Sequence, residues 1–322
     1  MIADAPGKLI AGKYELVERV GEGGMASVWR AVTRGAAGWE RPVAIKRVLP
    51  GLAQDFHFLA MFIEEARVGA ALAHPNIVQT LDFGDDADGG YYIVMEWVEG
   101  MDLGRYLQAF RGAAEGNEGV PPWPIVIAIG IEVTKGLTAA HERVDAEGKP
   151  APVFHRDVTP SNIMIGQNGI TKLVDFGLAK AMDRASMTRP NVLKGKLSYS
   201  APELMTGEKP SPQSDLWSLG VAMWEALVGH KLFTGKNEIE VVMKVRQTRV
   251  LPLATLRPDL PASLSLAIQQ TLSQSPDERP ASAREMGRML AAILRTFPDV
   301  IDSEAIGASV AEARKRLAAQ KR

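Results

Sequence analysis

The 322-residue sequence contains no cysteine. Disulfides, thiolate metal sites and cysteine nucleophiles are thereby excluded, and a reducing compartment such as the cytoplasm is compatible with the composition. Net charge is nearly absent too, at −1. Such a chain has no global field to gather nucleic acid or acidic lipid, so a charged ligand has to be met by a local constellation. The start, MIADAPGKLI, lacks the basic opening and apolar core of a signal peptide, and no run reaches the roughly 18 apolar residues of a membrane span. The longest, IVIAIGI at 125–131, reads as buried helix. What is present is 46 % hydrophobic residues over a length that suggests two domains or lobes.

Pattern divides the chain. YELVERV (14–20), SVWRAV (27–32), VAIKRVL (43–49) and YYIVMEWV (91–98) are β-branched or aromatic and bounded by turn residues, with one helical pattern from about Asp55 to Leu72. Beyond residue 98 the pattern becomes helical, as at 124–144 and 214–229. The expectation is a β-rich segment over 1–98, a mainly helical one over 99–297 and a basic helical tail over 298–322, with loop-like inserts at 33–42, 111–124 and 145–152. The end of the tail, AEARKRLAAQKR, carries five basic residues and one acid, and reads as a solvated helix end before a binding arm. A crevice between two unlike lobes is the default place for a ligand.

Several short stretches carry chemistry. GEGGMASV (21–28) is flanked by strand pattern on both sides, which makes it a hairpin flap whose glycine backbone can turn amides towards an anion. A merely flexible hairpin reads equally well from that segment alone. Lys46, in the apolar strand VAIK, needs an anion or a route to water. Glu65 shares a helical face with Phe58, Phe62, Gly69 and Leu72 and asks for a cation, with Lys46 its candidate and Glu64 its rival. In HRDVTPSN (155–162), Pro160 argues against regular helix. Asn162 and the strand-end Asp175 of DFG supply oxygens suited to a hard cation, and Asp157 is placed to accept a hydroxyl proton.

Taken in order, GEGGMASV, VAIK, the inward glutamate, HRD with Asn five residues after its Asp, DFG, APE (201–203) and DLWSLG (215–220) resemble the protein kinase family over about residues 14–295. GGMAS, HPNIV (74–78) and VMEWVEG are similar to the eukaryotic-like serine/threonine kinases of bacteria. The resemblance implies an α+β, two-lobed kinase-like fold. It also implies an ATP-dependent serine/threonine protein kinase using Mg²⁺, or Mn²⁺, with a protein substrate and transient homodimers for autophosphorylation. Under it, Gly21, Gly23 and Gly24 form the phosphate flap, and Val28, Ala44 and Met164 sandwich adenine. Met95 becomes the gatekeeper, the backbone of Glu96 and Val98 meets adenine, and Lys46, oriented by Glu65, contacts phosphate. Asn162 and Asp175 hold the metal and Asp157 is the base. His155 and Phe176 stack, Asp215 ties down the catalytic loop, Glu203 pairs with Arg279, and Ser186 and Thr188 are the candidate phosphoacceptors near Arg156.

Departures are three. Ala26 replaces the third flap glycine, Thr159 stands where such kinases usually carry lysine, and Lys196 stands where they usually carry threonine. The expectation is that these last two have exchanged sides, so that Lys196 supplies the charge missing at Thr159. Thr159 also sustains the rival reading, a pseudokinase or ATP-binding scaffold without transfer activity. A small-molecule kinase is a third reading, disfavoured by APE and DLWSLG, which build a peptide-binding surface.

Overall fold

In the computed structural model, residues 4–35, 38–52, 55–86, 89–111, 119–176 and 196–320 are described. Ser186 and Thr188 lie outside them. The described residues form two compact units. One takes in the chain up to His74 and Val78–Val98; the other takes in Pro75–Ile77, Glu99–Phe176 and the residues from Lys196 onward.

The first unit is a six-stranded antiparallel sheet with one α-helix. Its strands are β1 (Leu9–Ile10), β2 (Tyr14–Glu22), β3 (Ala26–Arg34), β4 (Glu40–Val48), β5 (Thr80–Asp85) and β6 (Tyr91–Glu96), in the order β1-β2-β3-β4-β6-β5. β3 and β4 run into the insert expected at 33–42, pairing as far as Arg34↔Glu40, so less of it is loop than the sequence suggests. Because successive residues of a strand face opposite ways, Val43 and Ile45 of β4 enter a core with Ile10, Tyr14, Leu16, Trp29 and Val94. Ala44 and Lys46 face the other side, where α1 (Phe56–Ala70) covers Ala26, Val48 and Ile93 with Phe62 and Ala66. Asp55 caps α1 by accepting from His57 N at 2.9 Å. Gly69 allows the helix its close approach to β5, since a Cβ there would lie 2.3 Å from Thr80 Oγ1.

The second unit is helical around a small sheet, β7 (Gly100–Asp102), β8 (Ile163–Gly166) and β9 (Thr171–Leu173), in that order. Helices α2 (Leu103–Phe110), α3 (Trp123–His141) and α4 (Pro212–Val228) are followed by α5 (Glu238–Gln247), α6 (Leu253–Leu256), α7 (Ala262–Thr271), α8 (Ala283–Leu294) and α9 (Ser303–Gln320). α3 is apolar nearly all round, the pattern of a helix packed on several sides. By length and composition it could cross a membrane, yet 67 % of its apolar window is buried inside the protein. α4 is bounded by its own residues: Ser211 and Ser214 bond reciprocally at its start, Pro212 occupies its first turn, and Gly229 closes it at φ +87°. Most of residues 311–320 are exposed, in keeping with a solvated helix end, but the helix that carries them is docked. α9 buries Ile306, Val310 and Ala313, which recur at helical spacing and pack it onto this unit.

Candidate active site

In the first unit, β2 and β3 make the flap hairpin, closed where Gly23 N donates to Ala26 O at 2.8 Å. A register shift between Arg19 and Gly21 bends it. None of Gly21, Gly23 and Gly24 has positive φ, so the conformational freedom expected of them is not what this hairpin uses. A Cβ would be accommodated at each, at ordinary contact distance on Gly21 and Gly23 and with nothing within 4 Å on Gly24, so the turn lies open. Ala26, by contrast, is buried, its methyl packing beneath α1 with Phe62 and Val48.

Register places the other expected residues on one sheet face. Val28, Lys46 and Ile93 form one cross-strand row, and Arg30, Ala44 and Met95 the next. Lys46 and Glu65 are both buried, and Lys46 Nζ donates to Glu65 Oε1 at 2.6 Å. Glu64 is turned to solvent and, among the described residues, reaches Arg67 alone, at 3.9 Å, so Glu65 is the partner. Glu96 N donates to Gln79 O at 3.0 Å, and Gln79 N donates to Glu96 Oε1 at 2.8 Å, which ties the end of β6 to the segment before β5.

In the second unit, Asp215 at the start of α4 is fully buried and organises the loop. It accepts from Arg156 N at 2.7 Å and from His155 N at 2.8 Å, and meets His141 Nε2 at 2.8 Å. His141, on the last turn of α3, escaped the sequence reading; a histidine 14 residues before His155 has no motif to mark it. Burial pushes the His155 imidazole below its ordinary pKa, keeping it neutral. Its Nδ1 accepts from Asp157 N at 3.3 Å, so Nε2 carries the proton and donates to Val174 O at 3.0 Å. Val174 N in turn donates to Asn162 O at 3.0 Å. Both backbone groups of Val174 are thus held by the loop, which fixes where Asp175 begins.

Asp175 sits at φ +62° and Arg156 at φ +66°, two of the four described non-glycine residues with positive φ. Strained backbone of this kind persists where its surroundings over-determine it, as functional loops do. Phe176 packs on His155 with ring centroids 4.5 Å apart. Pro160–Asn162 is a single 3-10 turn, in keeping with Pro160. Asn162 Nδ2 donates to Asp157 O at 2.8 Å and Oδ2 at 3.0 Å, so its amide oxygen points the other way. Met164, on β8, pairs with Asp102 and Lys172.

Lys196 Nζ donates to Asp157 Oδ2 at 2.6 Å. Thr159 is buried and bonds Ser161 Oγ at 2.9 Å. Both side-chain bonds to Asp157 fall on Oδ2, and among the described residues nothing donates to Oδ1. The carboxylate is therefore oriented and charge-neutralised from one side, with its second oxygen left to accept a proton. The Asn162 amide oxygen and the Asp175 carboxylate are hard donors of the type a small divalent cation takes when other oxygens complete its shell. No cluster of three or more His, Cys, Asp or Glu able to hold a metal occurs among the described residues, so the donor set fits a cation brought with phosphate better than a permanent all-protein cage. Away from this loop, Arg279 makes a bidentate pair with Glu203, 2.8 Å for each bond.

The sequence matches the protein kinase domain family over residues 14–290. It is 39 % identical over 283 residues to the tyrosine-protein kinase MasK of Myxococcus xanthus, covering 88 % of this chain and 43 % of that protein. It is 32 % identical over 280 residues to the serine/threonine-protein kinase PrkC of Bacillus subtilis, covering 87 % and 40 %. The chain thus spans about two fifths of the length of these relatives. Among solved structures, the Mycobacterium tuberculosis PknI kinase domain is similar with a TM-score of 0.65 and 28 % identity, over 90 % of this chain and 99 % of that one. With the motifs in order, the described geometry and a family match over most of its length, the chain belongs to the protein kinase domain family, in its two-lobed fold of a β-sheet lobe and a helical lobe.

Proposed function

We propose that this chain is the catalytic domain of an ATP-dependent serine/threonine protein kinase, with Asp157 as the base that accepts the proton of a protein hydroxyl. The observation that carries the reading is the state of Asp157: held at Oδ2 by Lys196 and Asn162, with Oδ1 left open. A divalent cation bound with ATP offsets phosphate charge and orients the phosphates. Asn162 and Asp175 are the residues to hold it, and two protein oxygens suit Mg²⁺, which keeps water and phosphate ligands; Mn²⁺ is the alternative. Lys46, aimed by Glu65, is the phosphate-binding ammonium of the first unit, beside the open turn of Gly21, Gly23 and Gly24.

Lys196 is the cation this reading assigns to the transferring group. Thr159 is neutral and engaged with Ser161, whereas Lys196 already reaches the catalytic carboxylate, which supports the exchange expected from sequence. Arg156 Nε is buried and, among the described residues, has no hydrogen-bond partner. It supports control of the loop by a phosphate on Ser186 or Thr188. Cysteine-free composition is in keeping with a cytoplasmic location, and transient self-association is the route for autophosphorylation.

The test is incubation with labelled ATP and Mg²⁺ followed by phosphoamino-acid analysis. Label on serine or threonine is expected; label on tyrosine alone would assign the residue class named for MasK, and none at all would favour a non-catalytic module. Removing one preorganised charge from such a site lowers kcat by about 10²–10³-fold, so Lys196→Met should fall in that range. The double variant Lys196→Thr/Thr159→Lys should recover much of the loss. Full activity in Lys196→Met would end the exchange idea.

A further inference from the structure

Helix α9 lies beyond the family match, which ends at residue 290. Its buried residues Ile306, Val310 and Ala313 fall at spacings of four and three, one continuous stripe that packs on α2, α3 and β8. Backbone meets backbone at one end of that stripe. A Cβ on Gly307 would lie 2.5 Å from Gln167 O, and one on Gly169 would lie 1.8 Å from Ser303 O. Two glycines, one on each side, are what allow the helix to seat against the β8–β9 turn.

Farther along, Arg314 donates to Gly100 O at 3.2 Å and to Glu99 Oε1 at 3.2 Å. With its amide oxygen turned towards Arg314, Gln167 accepts from it at 2.9 Å. Gln167 N also donates to Glu99 O at 2.8 Å. One guanidinium therefore fastens the open end of the β7–β8 pair, where Gly100 faces Gly166. The other end of that pair is Asp102↔Met164, and Asn162 lies two residues further back. Tyr106 bonds Ser309 at 2.6 Å, and Arg316 lies 4.8 Å over Phe110, which hold α2 to the same helix. The Glu99 pair is half-exposed and contributes little on its own. The glycine seat and the bond to the Gly100 carbonyl decide the geometry.

We propose that α9 is a positioning element for the nucleotide floor, with Gly307 setting its seat and Arg314 fixing the backbone at residues 99–100, so that Met164 and Asn162 are held in place from behind. The identification of Met164 and Asn162 as floor and metal ligand rests on the kinase reading above. β7 and β8 are short, three and four residues, and follow whatever holds their open end.

The test compares Gly307→Leu, Arg314→Ala and, as a control on the exposed side of the helix, Lys315→Ala. Losing a bond from a charged donor, or forcing a side chain into a backbone contact, should raise KM for ATP by about tenfold in Gly307→Leu and about threefold in Arg314→Ala, with kcat within about twofold. Native-state hydrogen exchange of residues 100–102 and 163–166 should speed up in parallel, while α4 amides and the control stay as in the parent protein. The proposal is overturned if ATP KM and local exchange are unchanged in both variants, or if exchange rises equally in α4, which would make α9 a general stabiliser. Should Gly307→Leu not fold, Arg314→Ala decides. Should the parent protein prove inactive, the kinase reading fails on its own, and the exchange measurement still decides whether α9 fastens this sheet.

Discussion

Asp157 and Lys46 are handled differently by their surroundings, and the difference is measurable. Asp157 keeps an oxygen that nothing described donates to, so Asp157→Asn should retain its contacts with Lys196 and Asn162, leave the melting temperature nearly unchanged and lower kcat by about 10²–10⁴-fold. Lys46 is buried against Glu65, and removing one partner of a buried pair leaves a charge without its counter-ion. Lys46→Met should cost about 3–5 kcal/mol in urea unfolding, and Lys46→Met/Glu65→Leu should recover most of it. His155 adds a pH dependence. Its folded pKa lies below the ordinary 6.5, so below that pH the unfolded chain binds a proton the folded one refuses. The contribution is complete above about pH 6.5 and is lost as pH falls towards and through the lower folded value, with a slope of at most about 1.4 kcal/mol per pH unit. Urea unfolding between pH 7.5 and 5.5 should show a shallower slope for His155→Asn than for the parent protein.

Elements place these residues through their ends. Asp215 acts on the catalytic loop because Ser211, Ser214 and Pro212 fix where α4 starts, and Asp175 follows from β9 through Val174. The 3-10 turn Pro202–Thr206 is anchored in the same manner by the Glu203–Arg279 fork, with Arg279 also reaching Ser273 O and Gln213 O. Lysine cannot reproduce that planar set of bonds, so Arg279→Lys should lower the unfolding free energy by about 3 kcal/mol at an unchanged m-value. α9 is legible as a helix in the sequence, but its docking is not. The run Arg314, Lys315, Arg316 reads as a solvated face, yet Arg314 and Arg316 bend back to Gly100 and Phe110 while Ile306, Val310 and Ala313 supply the buried stripe. The stripe has helical spacing in the sequence, whereas the contacts of the two arginines depend on tertiary packing.

At the scale of the whole molecule, the proposed function assigns metal and nucleotide to catalysis and not to the fold. No described cluster of three or more ligand-type side chains closes around a permanent ion, so chelation with EDTA should abolish phosphoryl transfer and leave the unfolding midpoint of the nucleotide-free protein unchanged. Excess Mg²⁺ should restore transfer. The strands at 14–22 and 91–96 and the helix at 56–70 were legible because each is marked locally, by alternation or by helical spacing, and the motif residues stand out by residue types that few other chemistries combine. Sequence by itself determined the family and the two kinds of segment, and put Glu65 forward as partner of Lys46 with Glu64 as its rival. Only the tertiary structure decided that Glu65 and not Glu64 makes that pair, that Lys196 reaches Asp157 across 39 residues of chain, that His141 joins Asp215, and that the tail is docked. The physical reason is range: periodicity records which face a residue takes on its own element, whereas a hydrogen bond between elements depends on register and packing that no local pattern encodes.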